Sequence, residues 1–128
     1  MPFTGKILLV DDEPHVRKFI SLLARGLGSP VIIEAANGEE ALAKFATESP
    51  DLVLLDVNLP GMDGLQILSG ILAHDPDAKV VMLTSLANRH TVEESLRLGA
   101  VGYIRKDTPK DAILAELAEI VRQNLEPT

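Results

Sequence analysis

The 128 residues include no cysteine. That excludes a disulfide framework, thiol catalysis and cysteine-ligated zinc. There is no tryptophan and a single tyrosine, so tryptophan quenching cannot report on ligands. No apolar run is long enough to cross a bilayer. Met1-Pro2-Phe3-Thr4 leads almost at once into an apolar run, without the basic region and hydrophobic stretch of a signal peptide. Nowhere do Lys and Arg cluster, and the formal net charge is −7, the reverse of the basic face that phosphate-backbone binding needs. Linkers and low-complexity tracts are missing too. The expectation is one domain spanning residues 1–128, cytoplasmic, with no direct nucleic-acid or membrane contact.

What is present is a repeated pattern. Five short runs rich in Val, Ile and Leu occur at Lys6–Val10, Val31–Ala35, Leu52–Leu55, Lys79–Leu83 and Val101–Ile104. They are continuous rather than alternating, as in strands covered on both faces. Helical patterns fill the gaps. After Pro14, the residues Val16, Phe19, Ile20, Leu23 and Leu27 form one helical stripe, capped by Asp12 or Glu13 and ended by Gly26 and Gly28. Asn37 and Glu40 have the spacing of a capping box, as do Thr91 and Glu94. Leu65, Leu68 and Leu72 mark a third helix, and Thr108-Pro109-Lys110-Asp111 opens a fifth. The reading is α/β, (βα)5. Right-handed crossovers place such strands in one parallel sheet with helices on both faces, which is a doubly wound fold.

Polar residues follow the strands. Asp11-Asp12-Glu13 follows the first, Asp56 the third, Thr84-Ser85 ends the fourth and Arg105-Lys106-Asp107 follows the fifth. In a parallel sheet these positions share the carboxyl edge, where open α/β folds bind ligands. Three carboxylates brought together there repel one another, and a cation resolves the conflict. An all-oxygen set favours Mg²⁺. With Lys106 as a fixed positive charge, Asp56 is suited to act as the nucleophile of a phosphoryl transfer. Taken singly, each residue has a plainer reading: Asp11 and Asp12 as caps, Asp56 as a turn former, Thr84 as a strand-end hydroxyl, Lys106 as a surface lysine and Tyr103 as packing. Asp63 reads as a cap and Glu13 as a cap or an outer partner of the metal. His15, His74 and His90 read as surface residues, and Glu116 and Glu119 as part of a solvated helix face.

LLVDDEP (8–14), LLDVNLPGMDG (54–64), VVMLTS (80–85) and GYIRK (102–106), in that order and at those strand ends, resemble the receiver domain of bacterial two-component response regulators. The resemblance covers nearly the whole chain. It implies a flavodoxin-like strand order, 2-1-3-4-5. It implies that Asp56 is the phosphoacceptor, that Asp11, Asp12, Asp56 and the backbone carbonyl of Asn58 hold Mg²⁺, and that Lys106 and Thr84 engage the phosphoryl group. Thr84 and Tyr103 are then the switch pair. The implied donor is a sensor histidine kinase or histidine phosphotransfer protein. The implied output is a partner protein or homodimer formed through the fourth helix, fifth strand and fifth helix.

Two positions depart from the commonest pattern. Asp107 replaces the proline that often follows the lysine through a cis bond, and a non-proline cis bond costs roughly 2.5–4 kcal/mol, so a trans bond is expected. In the family that the chain resembles, the positions of Asn58 and Leu86 tune attack of water on the phosphoryl group, and through Leu86 the resemblance implies a phosphorylated form that is not very short-lived. Two other classes share parts of the pattern. An aspartyl-phosphate phosphatase needs a second Asp where Asn58 stands. A flavodoxin-like binding module needs a Ser/Thr/Gly-rich loop where Asp-Asp-Glu-Pro stands. A receiver cut from a longer DNA-binding regulator is the alternative within the leading class.

Overall fold

The computed structural model describes residues 2–57, 59, 61–84 and 89–125. The strands are β1 (Lys6–Val10), β2 (Val31–Ala35), β3 (Leu52–Leu55), β4 (Val80–Thr84) and β5 (Gly102–Arg105). The helices are α1 (Pro14–Ala24), α2 (Gly38–Glu48), α3 (Gly64–His74), α4 (Arg89–Leu98) and α5 (Lys110–Asn124), and a 3-10 turn over Arg25–Leu27 extends α1. All pairings are parallel, in the order β2-β1-β3-β4-β5. This is the flavodoxin-like doubly wound sheet that the sequence leads one to expect.

Strand alternation splits the core into two layers. Leu8, Val10, Val53, Leu55 and Met82 face α2 and α3. Ile7, Leu9, Leu52, Leu54, Val81, Leu83 and Ile104 face α1 and α5. Every residue of β3 and β4 is buried, because both strands have neighbours on each side and helices on each face. That is why their sequences run apolar up to Thr84, the last residue of β4.

The helix starts are less uniform than the sequence suggests. Asn37 caps α2 by accepting the Glu40 N–H, while Glu40 reaches back to the Ala36 N–H, one residue before the cap. Asp63 and Gln66 make a full capping box on α3, so Asp63 is a cap, as expected. Three expectations need correction. Thr91 lies inside α4, which begins at Arg89, so Thr91 and Glu94 do not form a box, and Glu94 pairs with Arg97 instead. Phe19 is 45% exposed and leaves the core stripe of α1 to Ile20, Ala24 and the half-buried Val16 and Leu23. One step of helix rotation, about 100°, separates Phe19 from Ile20 and carries it off the buried face. The expected cap of α1 by Asp12 or Glu13 is not formed either: Glu13 holds the N-cap position without a side-chain cap bond, and the N–H that Pro14 lacks is one fewer to satisfy; Pro109 likewise holds the N-cap position of α5 without one.

Candidate functional site

Three site residues continue the alternation of their strands. Asp11, Asp56 and Lys106 each stand two places beyond a residue of the α1/α5 layer, namely Leu9, Leu54 and Ile104. Each also adds a rung to the sheet. The Asp11 N–H donates to the Ala35 carbonyl (3.1 Å), the Asp56 N–H to the Val10 carbonyl (3.0 Å) and the Lys106 N–H to the Thr84 carbonyl (2.7 Å). The backbone therefore fixes all three side chains at one edge, on one face.

The side chains meet there. Carboxylate oxygens of Asp11, Asp12 and Asp56 all lie within 4.8 Å of one another. Asp11 and Asp56 are buried, at 2% and 7% exposure, while Asp12 is exposed. The Lys106 ammonium hydrogen-bonds Asp11 and stands 3.4 Å from Asp56. Like charges gathered with so little water repel strongly. Lys106 offsets one of the three, leaving two negative charges for a divalent cation. An all-carboxylate donor set open to water on the Asp12 side fits a hard, hydrated ion such as Mg²⁺.

Asp11 is held at each polar atom. Besides its N–H and the Lys106 bond, its Oδ1 accepts the Glu13 N–H (2.9 Å) and its carbonyl accepts from Arg17 Nη1 (2.6 Å). Arg17 Nε donates in turn to Glu34 on β2 (2.9 Å). The sequence reading gives Arg17 and Glu34 no role, because a residue six places beyond Asp11 on a helix has no pattern that signals such a bond. Glu13 takes no part in the carboxylate group, and its carboxylate lies 3.3 Å from His15 Nε2.

Beyond Asp56 the chain turns back sharply. The Gly64 N–H donates to the Val57 carbonyl, and a Cβ on Gly64 would lie 2.6 Å from Val57 Cα and 2.8 Å from the Asp56 carbonyl oxygen. Only glycine lets the start of α3 come this close to the Asp56 backbone. Thr84 is fully buried at the end of β4. Tyr103 is half-buried on β5 opposite Met82 and packs against the α2/α3 layer, so Thr84 and Tyr103 share a sheet face. Burial raises the Tyr103 phenol above its ordinary pKa, and the Arg105 cation acts in the opposite direction. The Lys106–Asp107 bond is trans, as no cis peptide occurs among the described residues. Asn58, Ser85 and Leu86 lie outside the described residues, so the expectations placed on them do too.

The family model for the response regulator receiver domain matches residues 7–118. The chain is a response regulator receiver domain. This receiver is 36% identical over 117 residues to the chemotaxis protein CheY of Listeria monocytogenes, covering 91% of this chain and 98% of that one. It is 38% identical over 126 residues to the regulatory protein AtoC of Escherichia coli, covering 98% of this chain but 26% of AtoC. Its fold superposes on CheY in a CheX–CheY–BeF₃–Mg²⁺ complex from Borrelia burgdorferi with a TM-score of 0.85, at 32% identity, covering 90% of this chain and 87% of that one. Receivers like this one thus match both short CheY proteins and one segment of longer regulators. Among the classes raised by the sequence, the match selects the signalling receiver, a phosphoacceptor switch of two-component systems. The family generally binds Mg²⁺, and the three carboxylates are a group that could hold it. Among the described residues no helix is long and apolar enough to cross a membrane.

Proposed function

We propose that this receiver accepts a phosphoryl group on Asp56 from the phosphohistidine of a sensor kinase or histidine phosphotransfer protein. The observation that carries this reading is the Asp11–Asp12–Asp56 group bridged by Lys106 at the carboxyl edge of the sheet. An Asp56 oxygen attacks phosphorus in line. The new O–P bond forms as the N–P bond to the donor imidazole breaks, and the bonding pair leaves on the imidazole nitrogen. Mg²⁺, when bound by Asp11, Asp12 and Asp56, supplies charge neutralisation for the phosphoryl oxygens. Lys106 contributes a second positive charge, already fixed between Asp11 and Asp56 before the donor arrives.

Thr84 serves as the hydroxyl that engages the new phosphoryl group, and Tyr103, on the same sheet face, follows it inward. A charge event at the edge thereby biases the surface of α4, β5 and α5 towards a partner protein or a second copy. The test is intact mass after incubation with acetyl phosphate and MgCl₂. One added phosphoryl group is expected, lost without Mg²⁺ and lost in Asp56→Asn. An adduct that persists in Asp56→Asn would place the acceptor elsewhere. No adduct, together with no binding of beryllofluoride, would overturn the reading.

A further inference from the structure

We infer that Arg17 is a positioning residue for the cation site, setting the direction in which Asp12 leaves the end of β1. The inference rests on the Mg²⁺ reading above. Arg17 is a charged side chain only 15% exposed, and its guanidinium is spent on two acceptors. Nη1 donates to the Asp11 carbonyl at 2.6 Å and Nε to Glu34 Oε1 at 2.9 Å. Glu34 is anchored in turn, because its backbone carbonyl accepts from Lys44 Nζ on α2 and its strand pairs with β1 at Leu9. Arg17 therefore ties the turn after β1 to the neighbouring strand.

The carbonyl it holds matters. A peptide unit is planar, so fixing the Asp11 carbonyl fixes the direction of the following N–Cα bond, which is that of Asp12. Asp11 has its own anchors, in Lys106 and the Glu13 N–H. Asp12 is exposed, and its approach to Asp11 and Asp56 depends on how that peptide plane is set. A planar guanidinium fork sets it better than a rotating ammonium would. Groups that orient metal ligands from behind typically change metal affinity 10–100-fold when removed.

The sign of the effect separates positioning from simple charge. Arg17 is a cation near an acidic site. By Coulomb's law alone, removing it would strengthen binding of a second cation. Positioning predicts the reverse. Mg²⁺ binding is measured by titrating MgCl₂ into the ¹⁵N-labelled protein at constant ionic strength and following amide shifts in the turn after β1. Arg17→Met is expected to weaken binding about tenfold. Arg17→Lys, which keeps the charge and loses the fork, is expected to weaken it several-fold. If Arg17→Met does not fold, Arg17→Lys carries the test alone. A melting temperature that falls while the dissociation constant stays at or below the wild-type value would reduce Arg17 to a structural tie and overturn the inference. Absence of saturable shifts in the wild-type protein would overturn the Mg²⁺ reading and the inference together, whereas saturable wild-type binding with unweakened variants overturns the inference alone.

Discussion

Tyr103 is the only tyrosine in a chain without tryptophan, so its ionisation can be read directly from absorbance near 295 nm. Partial burial disfavours the phenolate, and Arg105 opposes that only in part, so the folded-state pKa lies above the ordinary value of 10.0. The sign of the linkage follows. The native state holds the Tyr103 proton to higher pH than the unfolded chain does. Its stabilising contribution is complete below the unfolded pKa and is lost as pH rises through the folded one. A spectrophotometric titration is expected to show a higher midpoint in the native protein than in concentrated guanidinium chloride. Beryllofluoride, acting at the edge, is expected to raise the midpoint further if the ring moves inward. A native midpoint at or below the denatured one would show that the ring is solvated and would remove Tyr103 from the switch.

Between residues and fold lie the helix starts, and there the local chemistry differs from helix to helix. Asp63 accepts the Gln66 N–H at 2.9 Å while Gln66 returns a bond to the Asp63 N–H, so two backbone donors depend on this pair. Asp63→Ala is expected to cost about 1 kcal/mol, measured as a shift in urea midpoint, while Glu13→Ala, which removes no cap bond, changes it much less. Equal effects would mean that the α3 box contributes nothing. The same elements show what a sequence can and cannot display. Strand ends were legible to within a residue, because a buried parallel strand must be apolar throughout and its first polar residue marks the edge. Asp11 and Asp56 were legible for that reason, whereas Lys106 follows Arg105, a polar residue that still belongs to the half-exposed edge strand β5. Thr91 and Glu94 misled because a Thr and a Glu three apart also occur inside a helix, where Glu94 reaches Arg97. Phe19 misled because its i+3 spacing from Val16 fits a helical stripe, yet puts it at the rim of that stripe, where it is exposed. Arg17 was invisible, since one of its targets is a backbone carbonyl that no side-chain pattern encodes and the other, Glu34, lies on a neighbouring strand far along the chain.

At the scale of the molecule, the site gathers three carboxylates and one ammonium at the carboxyl edge of the sheet, with Asp11 and Asp56 buried, so the negative charges outnumber the positive one. Repulsion there is expected to lower the stability of the metal-free protein, and a divalent cation bound by these carboxylates to restore it. Asp56→Asn removes one of the charges while Lys106 keeps Asp11 as its partner, so the ammonium is not left alone. The variant is therefore expected to melt at a higher temperature than wild type in EDTA. Added Mg²⁺ is expected to raise wild type by about 2.7 kcal/mol at a hundredfold excess over its dissociation constant, and Asp56→Asn by less, since one ligand has lost its charge. Sodium chloride at matched ionic strength is expected to recover only part of the effect, because the two buried carboxylates are poorly screened. The measurement is a set of far-UV melts of both proteins with EDTA, MgCl₂ and matched NaCl. A wild-type protein indifferent to Mg²⁺, or an Asn variant that melts lower than wild type in EDTA, would mean that the pairing with Lys106 outweighs the repulsion. The edge would then be a satisfied ion-pair network. The expected pattern would instead mean that stability is given up at this edge so that a cation and a phosphoryl group can be received there.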